Sequence, residues 1–121
     1  MRAGGIPALS SPAYTEDEMT HVLKTVGCRF LITSVSALGV VTKAAKRLRV
    51  DKIRIFVLDG QAEGFKSIAD LLEAGRRYGD VGQVQPSKLP LGKLNSEVCA
   101  VLCFSSGTTG LPKAVLFLFS Q

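Results

Sequence analysis

Short apolar runs at Arg29–Thr33, Ile53–Leu58, Val98–Phe104 and Ala114–Phe119 alternate with polar-capped amphipathic segments, and that alternation constrains the fold more than any other feature of the sequence. Each run is rich in β-branched or aromatic residues and ends in turn-forming ones, so each predicts a strand. Because the runs stay apolar throughout instead of alternating with polar residues, they predict strands of a parallel sheet covered on both faces. The chain is therefore expected to be α/β, part of a three-layer sandwich with a mainly parallel sheet.

The helices are announced by their ends. Thr15-Glu-Asp-Glu18 sets Glu18 three residues after a hydroxyl cap, the reciprocal pattern of a capping box. Met19, Val22, Leu23 and Val26 follow on one helical stripe, and Gly27 supplies a left-handed stop, which predicts a helix over 15–26. Ser34 to Ser36 offer a cap for a second helix carrying Leu38, Val41, Ala45 and Leu48. Ser67-Ile-Ala-Asp70 caps a third, bearing Ile68, Leu71 and Leu72 with Arg76 and Arg77 at its end. Residues 79–97, with Gly79, Gly82, Pro86 and Pro90, read as a surface connection.

Composition then removes whole classes of function. With 121 residues, 46% of them hydrophobic and 21% charged, the chain is long enough for one core, as one domain or a piece of one. Its net charge of +5 gathers in Lys43, Lys46, Arg47, Arg49, Lys52 and Arg54, where cations suit a helix C-terminus, and Tyr14 and Tyr78 without any Trp make a poor stacking platform, so no nucleic-acid partner is expected. Cys28, Cys99 and Cys103 are odd in number and lack nearby ligands, which speaks against a disulfide framework or a zinc site. Cys99 and Cys103, four apart on a strand, are expected to share a face and serve packing. The lone histidine, His21, reads as a surface residue of the first helix. Asp59-Gly60 through Gly64, and Gly79 through Gly82, read as turns, because neither has the spacing of a dinucleotide fingerprint. No signal peptide and no membrane span is predicted, since the longest apolar runs are far shorter than a bilayer crossing.

Chemistry concentrates in Ser105-Ser-Gly-Thr-Thr-Gly-Leu-Pro-Lys113, which leaves a strand and enters a loop of hydroxyls, glycines and one lysine. Gly107 and Gly110 let backbone amides approach an anion. Ser105, Ser106, Thr108 and Thr109 add hydroxyl donors, and Lys113 adds a flexible point charge that can follow a departing phosphate. Walker-type loops require glycine before the lysine and a hydroxyl residue after it; here Pro112 and Ala114 occupy those places, so the ordinary P-loop NTPase reading fails while the logic of cradling phosphate stands.

The same stretch resembles the phosphate-loop signature of the adenylate-forming superfamily, the AMP-binding acyl- and aryl-CoA synthetases that include 4-coumarate–CoA ligases and luciferases. Gly4 through Glu18 and Gly27 through Thr33 are similar to that family as well. The resemblance implies that Ser105, Ser106, Gly107, Thr108, Thr109, Gly110 and Lys113 hold the β- and γ-phosphates of ATP. It also implies a reaction in which a carboxylate is activated as acyl-AMP with magnesium and then passed to coenzyme A. Departures from the family pattern are Ala114, where glycine is usual, and Leu116-Phe-Leu-Phe-Ser-Gln121, where a Ser/Thr-His segment normally lines the acyl pocket. The family's later motifs, including its adenylation lysine, are not found.

Residues 1–121 are thus expected to be a part of the large N-terminal AMP-binding domain, lacking its start, its C-terminal half and the small C-terminal domain, and inactive alone. The alternative is a non-catalytic phosphate-binding remnant. Cytosol or peroxisome is the expected compartment, although the Phe119-Ser-Gln121 end is no peroxisomal address. The Ala114–Phe119 strand, expected to lack its native neighbours, predicts self-association through an exposed edge.

Overall fold

The capping pattern written at Thr15 forms as expected in a computed structural model of the chain, which describes residues 4–50, 54–82, 85, 88, 92, 94, 97–105 and 110–118. Along the chain run β1 (Ala8–Leu9), α1 (Glu16–Val26), β2 (Leu31–Thr33), α2 (Leu38–Arg47), β3 (Ile55–Val57), β4 (Lys66–Ser67), α3 (Ile68–Tyr78), a 3₁₀ turn (Gly79–Gly82), β5 (Cys99–Ser105) and β6 (Lys113–Leu118). They fall into two compact units, one of Ser11–Gly82 and one of Met1–Ser10 with Gln83–Gln121. Each contains its own three-stranded sheet, β2-β3-β4 in the first and β1-β5-β6 in the second.

In the Ser11–Gly82 unit the Thr15 amide and hydroxyl both donate to Glu18 Oε2, at 2.8 and 2.7 Å, and the Glu18 amide donates to Thr15 Oγ1 at 3.4 Å. These bonds hold the Glu18 carboxyl below its usual range, because they favour the charged form. Gly27 closes α1 at φ 59°, with its amide on Lys24 O and the Cys28 amide on Leu23 O, the paired bonds of a Schellman motif. Helix α3 opens in the same way, with Ser67 donating from its amide and hydroxyl to Asp70 Oδ2 at 2.7 and 2.8 Å.

The start of α2 differs from the expectation. Its cap position is Ala37, which has no side chain to offer, and the serines sit one turn upstream. Ser34 Oγ accepts from the Ala37 amide at 3.3 Å, and the Ser34 and Ser36 hydroxyls bond each other at 2.9 Å. Asp59, in the loop after β3, accepts from the Val35 amide at 2.9 Å and fixes that turn. The serines are occupied with one another and the turn, which displaces the helix start.

The β2-β3-β4 sheet is parallel throughout, with Leu31 opposite Ile55, Thr33 opposite Val57, and Val57 opposite Ser67. Directly opposed residues point to the same face, so Leu31, Thr33, Ile55, Val57 and Ser67 line one side. That side is packed: Met19, Leu23, Val41, Ala44, Ala45 and Ile55 form one core cluster, with Leu31, Leu38, Leu48 and Phe65 against it. The opposite side presents Phe30 and Ile32, both exposed, and Phe56, whose ring stacks on Phe30 at 6.5 Å. Helices therefore cover one face of this sheet, where continuous hydrophobicity predicts cover on both. Leu71 and Leu72 of α3 are likewise exposed.

Candidate functional site: a strand hairpin closed by Ser105 and Lys113

β5 and β6 are antiparallel neighbours, and the last pair before the intervening loop is Ser105 opposite Lys113. A hairpin brings the two ends of the hydroxyl- and glycine-rich stretch together, so the first hydroxyl and the lysine lie side by side at its mouth. Both residues are exposed. Of the residues expected to hold phosphate, Ser105, Gly110 and Lys113 are described; Ser106, Gly107, Thr108 and Thr109 lie outside the described residues.

Gly110 adopts φ 114°, while a Cβ built there would meet nothing within 4 Å. The need for glycine is therefore one of backbone angle, not of space. Two residues on, Pro112 is fully buried. It anchors the loop just before the chain enters β6, while Lys113 extends into solvent and makes no ion pair with another described residue. An exposed ammonium can be reached by an anion from solvent. The physical reason is local in sequence: Pro112 cannot continue a ladder on its nitrogen side, so the strand starts at the lysine.

β1 extends the hairpin to a third strand, parallel to β5 with Ala8 opposite Leu102 and Leu9 opposite Cys103. β5 carries an irregularity between Cys99, opposite Leu118, and Val101, opposite Phe117. The extra residue reverses the alternation beyond it. Val101, Cys103 and Ser105 therefore share a face with Lys113, Val115 and Phe117, while Cys99 belongs with Leu102, Phe104, Leu116 and Leu118. The expectation that Cys99 and Cys103 share a face is corrected by this bulge, which leaves no trace in the spacing of the cysteines. Both thiols are half-buried, as is Cys28.

Other candidates take structural parts. Cys28 donates to Phe30 O at 2.9 Å, and burial pushes its thiol pKa up, so it stays protonated. His21 is half-buried on α1. Arg47, in the basic stretch at the end of α2, donates to Asp17 at 2.7 Å and to Glu16 at 3.4 Å on α1. The clasp ties the end of α2 to the first turn of α1. It was not foreseen, because the partners lie thirty residues apart in sequence. Among the described residues no cluster of His, Cys, Asp and Glu could hold a metal ion, and no helix is long and apolar enough to cross a membrane.

The described part of the site is thus a strand hairpin of an α/β chain whose mouth pairs Ser105 with an exposed lysine, Lys113. A family model of the AMP-binding enzymes matches residues 1–118, and the chain belongs to that family. It is 31% identical over 119 residues to a 4-coumarate–CoA ligase-like protein of Arabidopsis thaliana, covering 96% of this chain and 19% of that one. A probable 4-coumarate–CoA ligase of Dictyostelium discoideum is 27% identical over 117 residues, covering 93% and 21%. The fold is similar to part of a natural red-emitting luciferase from Phrixothrix hirtus, with a TM-score of 0.68 at 28% identity over 92% of this chain and 21% of that one. It also matches an anthranilate CoA ligase in complex with anthranoyl-AMP, with a TM-score of 0.70 at 24% identity over 97% of this chain and 21% of that one. The chain thus spans about one-fifth of the length of these relatives.

Proposed function

We propose that this chain supplies the phosphate-gripping part of an ATP-dependent acid–CoA ligase, with Ser105, Ser106, Gly107, Thr108, Thr109, Gly110 and Lys113 holding the β- and γ-phosphates. The carrying observation is the cross-strand pair Ser105–Lys113, which sets a hydroxyl and an exposed ammonium at the mouth of one hairpin. Relatives named as CoA ligases support the reaction class. In this reading the chain corresponds to the middle of a larger AMP-binding domain, with residues 1–121 forming part of it.

The chemistry assigned to these residues is electrostatic. Attack of a carboxylate on the α-phosphate leaves charge on the outgoing diphosphate, and donors already aimed at that charge lower the barrier. Ser105 donates a hydroxyl, Gly110 turns the backbone where a side-chain-bearing residue would be strained, and Lys113 follows the leaving group on its four-carbon stem. Magnesium and ATP would enter as one complex, the ion neutralising the phosphates. The carboxylic acid and coenzyme A are the remaining substrates of the proposed reaction, and no residue of this chain is assigned to either.

Calorimetric titration of the chain with MgATP and with pyrophosphate tests the reading. Binding is expected, and Lys113→Ala should weaken it by roughly ten- to a hundredfold, the worth of about 1.5–3 kcal/mol for a charge-assisted bond. Equal affinity of the variant would overturn the role of the lysine. Carboxylate-dependent exchange of pyrophosphate into ATP by this chain alone is not expected. Its appearance would show that the segment is catalytic by itself.

A further inference from the structure

Among residues 110–118 one side chain is buried, and it belongs to the residue just before the lysine. Pro112 is enclosed as fully as Ile55 and Val57 of the core, with less than 2% of its surface exposed. This chain itself encloses the ring, so nothing from outside the segment is needed to hold it. The backbone on the loop side is narrowed in two ways. Gly110 has φ 114°, an angle that a residue bearing a Cβ adopts only under strain. Proline fixes its own φ at about −65° and pushes the preceding Leu111 towards extended angles. On the strand side, Lys113 opens β6 opposite Ser105.

We infer that Pro112 is a positioning residue of the phosphate site: its enclosed ring fixes the backbone from which the Lys113 side chain departs. The inference rests on the reading above, in which Lys113 grips the outgoing diphosphate, and extends it to a residue that itself offers no donor. A lysine stem must be ordered when its ammonium binds an anion. Were the backbone beneath it loose as well, binding would have to order both, and the grip would weaken. In this chain the backbone is held before the anion arrives, by the buried ring on one side and by the cross-strand Ser105 on the other. Gly110 lets the loop turn, and two residues later the proline ends that freedom. The missing N–H of Pro112 acts in the same direction. It can make no ladder bond, so pairing stops at Ser105–Lys113 and keeps hydroxyl and ammonium at the mouth of the hairpin.

A double-mutant cycle on the 121-residue chain, read by calorimetric titration with pyrophosphate, tests the inference. Pro112→Ala is expected to weaken binding roughly three- to tenfold. In the Lys113→Ala background the same change should shift affinity by less than about twofold, because no ammonium is left to position. Without ligand, amide relaxation should show Lys113 moving more in Pro112→Ala, while hydrogen exchange of 114–118 stays as in the unsubstituted chain. Pro112→Val retains an apolar side chain but restores the N–H and frees φ, and should give the same pattern with a smaller coupling. Equal weakening in both backgrounds would overturn the inference, since a merely structural proline acts whether or not the lysine is present. Full affinity in Pro112→Ala would also overturn it and leave the part of Lys113 intact. Full affinity in Lys113→Ala would instead remove the reading beneath it and take the inference with it, so the silent variant tells the two failures apart.

Discussion

The strands of the two sheets are similarly apolar, yet they end in opposite environments. In β3, Ile55 and Val57 retain 2% and 0% of their exposure, because α1 and α2 lie over that face with Met19, Leu23, Val41 and Ala44. In β6, Leu116 and Phe117 retain 61% and 50%, and no helix belongs to that unit among the described residues. Hydrophobicity records a demand for cover; it does not say whether the same stretch of chain provides it. The packed core of the described structure therefore lies in Ser11–Gly82, while the Ser105–Lys113 hairpin belongs to the unit with the thinner core.

The largest effect that could break this contrast comes from deleting side-chain volume in each place. Ile55→Ala is expected to cost about 2–5 kcal/mol in urea unfolding, the range for a large aliphatic removed from a packed core. Leu116→Ala should cost under about 0.5 kcal/mol when measured at a concentration where the chain is monomeric. Comparable losses from both would mean that β6 is packed in solution, and the comparison would fail.

Acid should separate the two units further. Glu18 and Asp70 each cap a helix of the Ser11–Gly82 unit, and bonds from Thr15 and Ser67 hold both carboxyls below their usual values. A lowered pKa in the folded chain means that the contribution is present above the unfolded value and is lost as pH falls through the folded one. The ordinary values are 4.5 for Glu18 and 3.8 for Asp70, so the caps hold at neutral pH and loosen below about pH 4. Hydrogen exchange over an acid titration should show α1 and α3 opening in that range. Glu18→Gln with Asp70→Asn should flatten the dependence, and an unchanged acid transition in that variant would remove the caps as its cause.

How far the sequence carried depends on whether a feature is local. The start and stop of α1, the capped start of α3 and the cores of β2 and β3 rest on residues within a turn of one another, so their patterns are readable. For Ser105–Lys113 residue type alone raises the expectation of a phosphate cradle, and the hairpin adds what spacing could not give, namely that Ser105 and Lys113 are cross-strand partners. The features that escaped depend on distant contacts: β1 on β5, Asp59 on the turn at Val35, Arg47 on Asp17. The bulge between Cys99 and Val101 escaped for a different reason, since an inserted residue looks like any other apolar residue of the run and yet reverses every face beyond it.

The smallest predicted effect concerns the two helix ends inside the packed unit. α1 and α2 finish with the same pair of bonds: Gly27 and Cys28 donate to Lys24 and Leu23, and Arg49 and Val50 donate to Lys46 and Ala45. Both motifs need a left-handed residue, and the chain uses Gly27 at φ 59° in one and Arg49 at φ 57° in the other. A Cβ at Gly27 would have nothing within 4 Å, so Gly27→Ala isolates the backbone term, expected to cost about 1 kcal/mol. Arg49→Gly should act in the opposite direction. Relief of the left-handed penalty outweighs the greater freedom of glycine in the unfolded chain by a few tenths of a kcal/mol to about 1. Thermal unfolding of both variants measures the difference, and a fall in stability on Arg49→Gly would mean that the arginine side chain contributes more than its backbone angle costs.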